Sequence, residues 1–502
     1  MSTNRSAPLR KPLAQATIFM RMPASDTVVI ILAAGKGTRM RSEQAKVLHR
    51  AGGLPLLEHV VRACRRLKPA QIVAVVGHQA EEVATVAASL GAQTVLQKPQ
   101  RGTGHAVQIA RRAIRSGAKL ALVTPGDAPM LRTETLKSLI DTHRRGEAAA
   151  TLLSAELDDP REYGRVIRDS EGRVQAIVEE KSATPEQKAV REVNASIYCF
   201  TLAKLWPVLN QLRPENAHRE LYLTDAIGLL REKNERVLAV VAPDPREIFG
   251  CNTRAQLAEI DQLLRARKAA QIMEAGATIY FPHTVTIDPD VTVGTDTLIE
   301  PNVQLLGKTA IGARCVIRTG SILNDVRIDD GVQINSHSIL ESSRVGPDAI
   351  VGPLARLRPG TELRATAHVG NFVEVKNSVL HEGVKANHLT YLGDASVGRG
   401  TNIGAGTITC NYDGVMKHKT TIGENVFVGS DSALVAPVRI GKGAYVAAGS
   451  IITENVPPDA LAVARGRQVN KKGWAKAKRA EMARAKAGKS KPTKRPKTKK
   501  SS

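Results

Sequence analysis

From Ile287 onward, aliphatic residues return at every sixth position, and this period restricts the fold more than any other feature of the chain. Ile287, Val293, Ile299, Leu305, Ile311 and Ile317 make one run. Val345, Val351, Leu357, Leu363, Val369 and Val375 make a second, and Ile422, Val428, Leu434, Ile440, Val446 and Ile452 a third. Glycine often follows the aliphatic residue, as in Val293-Gly294, Ile311-Gly312, Ile422-Gly423 and Val428-Gly429. A six-residue repeat marks a parallel β-helix, in which one aliphatic side chain per repeat enters a narrow core and a small neighbour lets the chain turn. Such a solenoid has no room for many rings, which accounts for an aromatic content of 3%. The period slips near residues 319–345 and 378–420, where loops or insertions are expected. Loops are where sites are usually built.

The preceding part reads differently. Short β-type runs (Val28–Leu32, Ile72–Val76, Thr94–Gln97, Leu120–Thr124, Ala149–Ser154) alternate with helical stretches such as Leu54–Leu67 and Glu81–Leu90. Strands separated by helices imply βαβ units, a mainly parallel sheet and ligands at the strands' C-terminal ends. Residues 255–275 carry apolar residues at helical spacing without Pro or Gly and read as a connecting helix. The chain of 502 residues thus divides into a disordered extension (1–25), an α/β domain (26–254), a linker helix (255–275), a β-helix (276–467) and a basic tail (468–502) read as disordered, at best a frayed helix.

The net charge of +24 is that of a nucleic-acid binder, but its distribution is not. From Arg465 onward sixteen Lys or Arg stand against one acid, Glu481, so fifteen of those charges belong to the tail. The tail then adds at most a weak, salt-sensitive affinity for polyanions. The five cysteines are scattered, with no CxxC pair, which is neither a disulfide framework nor a zinc signature and fits a reducing cytoplasm. No apolar run approaches the roughly 20 residues of a spanning helix.

The first strand opens into Leu32-Ala33-Ala34-Gly35-Lys36-Gly37-Thr38-Arg39-Met40, followed by Lys46-Val47-Leu48. Glycines after a strand let backbone N–H groups approach phosphate oxygens, and Arg39 and Lys46 would neutralise a triphosphate. The loop fits neither the Walker spacing nor the dinucleotide fingerprint. Read whole, it resembles the sugar-phosphate nucleotidyltransferases. Together with the later segments, the chain from Val28 to Gly473 resembles the bifunctional N-acetylglucosamine-1-phosphate uridyltransferase/glucosamine-1-phosphate N-acetyltransferase family. That resemblance implies a Rossmann-like domain, a left-handed β-helix, a homotrimer, and Mg²⁺, UTP and acetyl-CoA as its metal and co-substrates. It implies that Leu32, Ala33, Ala34, Gly35, Lys46, Gln97, Gly102 and Thr103 hold the nucleotide, with Lys46 and Arg39 catalytic. By the same resemblance Gly164, Glu179 and Asn194 contact the N-acetylglucosamine moiety, and Asp127 and Asn252 bind the metal. Mg²⁺ takes few protein oxygens and shares phosphates, so one Asp and one Asn suffice. The sequence departs from the family pattern at Ala45, where Pro is usual, at Pro125, and at Ala195-Ser196, where Thr-Gly is usual.

A dense polar cluster occupies the irregular part of the repeats: Ala355–Gly360, Asn371–Lys376, Asn387–Asp394 and Asn402–Gly414. It matches the acetyltransferase half of the same family. The resemblance implies His388 as general base with Glu374 orienting its imidazole. It places Arg358, Lys376, Tyr391 and Asn402 on glucosamine-1-phosphate, and Ala405, Asn411, Tyr412, Ser430, Ala448 and Arg465 on acetyl-CoA. An amine attacking a thioester must lose a proton, and histidine, with an ordinary pKa near 6.5, is suited to take it. The alternatives are a single-function sugar-1-phosphate nucleotidyltransferase with a regulatory β-helix, which predicts no such cluster, and a nucleic-acid binder using its tail.

Overall fold

The computed structural model describes residues 25–215 and 219–489. The expected extension ahead of residue 25 and the last part of the tail lie outside the described residues. The chain forms two compact units, Met1–Arg327 and Ile328–Ser502.

In the first unit, strands β1 (Thr27–Ala33), β2 (Gln71–Val76), β3 (Gln93–Leu96), β4 (Leu120–Pro125), β5 (Ala150–Glu156), β6 (Arg165–Arg168), β7 (Val174–Val178), β8 (Glu192–Thr201) and β9 (Val237–Val241) share one sheet. Its order is β9-β5-β8-β4-β1-β2-β3, with β6 beside β8 and β7 beside β6. β1 runs parallel to β2 and β4, while β8 is antiparallel to β4, β5 and β6, so the sheet is mixed. β1 is apolar throughout because both its faces are covered. Val29, Ile31 and Ala33 pack with Leu57, Val60 and Leu139, whereas Val28 and Ile30 point the other way toward Val107, Leu205 and Ile227. Alternation along a strand produces this division, and each such fully buried aliphatic contributes about 1.5–3 kcal/mol.

The helix Arg254–Glu274 is started by a capping box between Thr253 and Gln256. The first coils of the repeat belong to the same unit. Arg62 pairs with Asp290 at 2.6 Å, and the Gly52 N–H donates to Asp261 at 2.7 Å. A Cβ on Gly53 would lie 2.3 Å from an Asp288 oxygen, so glycine is required where the turn between the short antiparallel strands Arg50–Ala51 and Leu54–Pro55 meets the first coil. These contacts carry the unit boundary past residue 276, to 327.

In the second unit, short strands stack into three parallel sheets, each strand pairing with the one a full coil away. All six aliphatics of the run Val345–Val375 are fully buried. The slipped periods resolve into two kinds. Leu340 and Val345 are successive core positions five apart, as are Leu380 and Val375, with no loop between them; these sides of the coil have lost one residue. The segment after the strand Ile408–Cys410 is a true insertion, returning only at Thr420. Residues 319–345 therefore hold no inserted loop, contrary to the reading of the period. Trp474–Lys489 is a helix where the charge pattern reads as disorder. Its alanines, lysines and arginines are strong helix formers, and local propensity outweighs the charge.

Candidate active sites

After β1 the chain turns through Ala34-Gly35-Lys36-Gly37 into a tight turn at Thr38–Met40. The Leu32 carbonyl accepts from Gly126 N–H at 2.9 Å and the Ala34 carbonyl from Gln100 at 2.7 Å, while the Cβ side of Gly35 faces open space. Gly37 has φ +60° and a Cβ there would lie 2.6 Å from Lys46 Cβ, so a glycine lets Lys46 cross the loop. The Lys46 ammonium lies 2.5 Å from Asp127 Oδ2 and donates to Asn252 Oδ1 at 3.1 Å. Asp127 follows β4 and Asn252 precedes the connecting helix, so three segments distant in sequence converge on one cation. Gln256 accepts from Asn252 N–H at 2.8 Å and fixes that backbone. The Ala45 N–H, which the usual proline lacks, donates to Gln79 at 2.5 Å.

A cleft of about 500 Å³ adjoins this cluster, lined by Asp127, Tyr163, Asn194, Ser196, Asn252 and Gln256 among others. Asn194 is buried and donates to the Tyr198 hydroxyl at 2.7 Å, and its N–H donates to the Gly164 carbonyl at 2.8 Å. Glu179 lies beside Gly164 and accepts from Thr224 at 3.3 Å. Burial pushes its carboxyl above the usual range. Ser196 sits in the left-handed region at φ +57°, at a bulge in β8. That backbone favours glycine, which accounts for the usual residue there. Gln97 is buried and donates to the Gly102 carbonyl at 3.0 Å, with His105 Nδ1 at 3.2 Å, while Thr103 accepts from Leu223 N–H. Arg39 is exposed and pairs with Glu162, which lines the same cleft, at 3.0 Å.

In the second unit, Arg358 donates to Glu374 at 2.9 Å. Nδ1 of the His388 imidazole lies 2.9 Å from Asn371 Oδ1. The insertion brings in Lys417, a residue the sequence does not single out. It meets Lys376 directly, and Lys417 and then Arg358 hold the Lys376 ammonium below its ordinary pKa. Arg358, Lys376 and Lys417 thus gather on one side of the coil, a concentration of positive charge that favours an anion. Asp394 anchors the insertion, accepting from Asn377 and Asn411 at 2.5 Å each. Its burial works to raise its pKa, but these donors and the cations Lys417 and Lys376 hold it low.

Tyr391 carries its hydroxyl over Gly393, where a Cβ would lie 2.4 Å away. Asn402 stands opposite Lys385 and Phe427 in the ladder. Ala405, Ser430 and Ala448 each lie two residues past ladder partners Ile403, Val428 and Val446, and so form one column along a corner. The Ala405 carbonyl accepts from Asp431 N–H and that of Ser430 from Gly449 N–H. Arg465 approaches Gly449 at the next coil. Tyr412 is exposed on the insertion, and Asn411 is buried at its base.

Family models match both parts: the MobA-like NTP transferase domain over residues 29–279 and the bacterial transferase hexapeptide over residues 419–454. Fold and sites thus define a two-site transferase, a nucleotidyltransferase joined to hexapeptide-repeat transferase coils. The Bifunctional protein GlmU of Koribacter versatilis is 51% identical over 462 residues, 91% of this chain and 98% of that protein. The same-named protein of Solibacter usitatus is 50% identical over 461 residues (92% and 99%), and that of Mycobacterium tuberculosis 46% over 472 (92% and 95%). The chain belongs to the bifunctional GlmU family.

Proposed function

We propose that the chain makes UDP-N-acetylglucosamine in two steps, acetyl transfer from acetyl-CoA to glucosamine-1-phosphate and then uridylyl transfer from UTP. The observation that carries this reading is that one chain holds two groups of converging side chains, a cation-centred cluster at the C-terminal ends of β1 and β4, and, on the coils, the His388–Asn371 pair together with the gathered cations Arg358, Lys376 and Lys417. Lys46 and the loop after β1 hold the triphosphate, and the cleft at Asn194 takes the sugar. The Asp127 and Asn252 oxygens, which already share one ammonium, fit a hard divalent ion. They would hold Mg²⁺, which supplies charge neutralisation on the phosphates. Uridylyl transfer needs little covalent work from the protein, so these residues act by position and charge.

In the acetyl site, Arg358, Lys376 and Lys417 hold the sugar's phosphate, and the column Ala405, Ser430, Ala448 with Arg465 takes acetyl-CoA. His388 receives the amine proton. Trimeric assembly, which the family resemblance implies, and a cytoplasmic location complete the reading. Among the described residues no helix is long and apolar enough to cross a membrane.

The test is incubation with glucosamine-1-phosphate, acetyl-CoA, UTP and Mg²⁺, followed by mass spectrometry. N-acetylglucosamine-1-phosphate should appear first and UDP-N-acetylglucosamine after it. Arrest at the acetylated sugar phosphate would place the nucleotide half on another substrate.

A further inference from the structure

Most coil strands are two or three residues long, but His368–Asn371 and Lys385–His388 each run to four. They are parallel neighbours in which Asn371 stands opposite His388. The extra length depends on Gly370, whose Cβ, if present, would lie 2.0 Å from the Asn387 carbonyl oxygen. The ladder therefore carries Asn371 and His388 past the usual corner, side by side. The Asn371 Oδ1 to His388 Nδ1 distance of 2.9 Å is that of a hydrogen bond. With its oxygen on that side the amide can only accept, which matches an Nδ1–H tautomer that leaves the Nε2 lone pair free. His388 is exposed, and among the described residues no bond to Nε2 is formed.

We propose that Asn371 is a positioning residue that fixes His388 in the Nδ1–H tautomer and so presents Nε2 as the base. This rests on the reading of His388 as the acetyl-transfer base. The amine nitrogen of the sugar attacks the thioester carbonyl carbon and gives its proton to Nε2. The tetrahedral intermediate then breaks its C–S bond, and the leaving thiolate takes that proton, restoring neutral imidazole. A carboxylate in place of Asn371 would orient the ring equally but stabilise imidazolium, leaving less free base near neutral pH. The amide orients without adding charge. The charged groups about the pair are His368 and Lys385, opposite each other in the same ladder, and on the adjoining sheet Glu374 paired to Arg358 and Lys376 facing Lys417.

The experiment is the pH profile of acetyl-transfer kcat and KM for Asn371→Ala, Asn371→Asp and His388→Ala, with uridylyl transfer by the same protein as control of folding. Asn371→Ala should lower kcat about 10-fold or more, a part of the roughly 10²–10⁴-fold that a general base supplies, with both KM values little changed. Asn371→Asp should retain kcat at high pH and move its acid limb upward by about one pH unit. A wild-type kcat in Asn371→Ala, a change confined to KM, or an unmoved acid limb in Asn371→Asp would overturn the proposal. Should Asn371→Ala lose uridylyl transfer as well, the position of the acid limb in Asn371→Asp decides alone. Retained acetyl transfer in His388→Ala would instead overturn the assignment of the base itself.

Discussion

His143 shows how one residue ties the fold to pH. It is buried between a helix and the sheet, with Nδ1 at 3.0 Å from Thr151 and Nε2 at 3.0 Å from Thr201. Burial, and secondarily Arg144, push its pKa down to about 4. Between the ordinary value of 6.5 and about 4, the unfolded chain binds a proton that the folded chain refuses, so stability rises with pH through this window. The contribution is complete above 6.5 and is lost as pH falls toward 4, amounting to about 3 kcal/mol. Urea unfolding followed by Trp206 fluorescence at pH 7 and pH 4.5 should show this loss, and His143→Gln should flatten it. Ser196 offers a second test, since its left-handed backbone stores strain of about 1 kcal/mol. Ser196→Gly should raise the urea midpoint, offset in part by the greater freedom of glycine in the unfolded chain. At this scale the sequence was legible through the motifs that carry the family resemblance, which single out Lys46, Asp127 and Asn252, residues that the fold brings onto one point. Asn371 was not, because an asparagine on a ladder looks like any solvated polar residue until its register partner is known. Lys417 sits in a basic insertion whose path no period reports.

At the scale of elements, the connecting helix does more than join two parts. Its capping box sets Gln256 to accept from both Asn252 and Thr253 N–H groups, at 2.8 and 3.1 Å. The helix start therefore aims the Asn252 side chain at the Lys46–Asp127 pair. Losing this cap costs about 1 kcal/mol of helix stability, but its sharper effect should fall on the metal. Gln256→Ala is expected to raise the Mg²⁺ concentration for half-maximal uridylyl transfer several-fold and to be rescued by excess Mg²⁺, while Gln256→Glu, which can still cap, stays near wild type. An unchanged Mg²⁺ titration in Gln256→Ala would separate the cap from the metal site. The repeats were readable because a coil admits one aliphatic per side, and the period survives any exposed substitution. What misled was the slip. Counting sixes fails alike for a lost residue and for an inserted loop, and only the backbone tells the five-residue step at Leu340–Val345 from the excursion after Cys410. The helix Trp474–Lys489 was read as at best frayed for a different reason: net charge and helix propensity point in opposite directions, and charge was given the greater weight.

Over the whole molecule, the two sites draw on different physics, and this makes them separable. The nucleotide half gathers its groups from loops at the ends of β1 and β4 and from a helix start, so it depends on distant segments meeting. The acetyl half lies along neighbouring coils, where register sets Asn371 beside His388 in one ladder step and puts Arg358, two residues past Arg356, the ladder partner of Glu374, within reach of that carboxylate. A side chain removed from either site leaves the other's scaffold intact, because no residue named for one serves the other. Lys46→Ala should therefore cut uridylyl transfer by at least about 100-fold, the scale of one lost charge-stabilising group, with acetyl transfer kept within about twofold. His388→Ala should do the reverse, within the roughly 10²–10⁴-fold that general-base catalysis supplies. Paired assays on each purified variant check this directly. A variant that lost both activities would show that the halves are coupled through folding or assembly. Near-normal uridylyl transfer in Lys46→Ala would remove that ammonium from the reaction and leave it as a structural partner of Asp127.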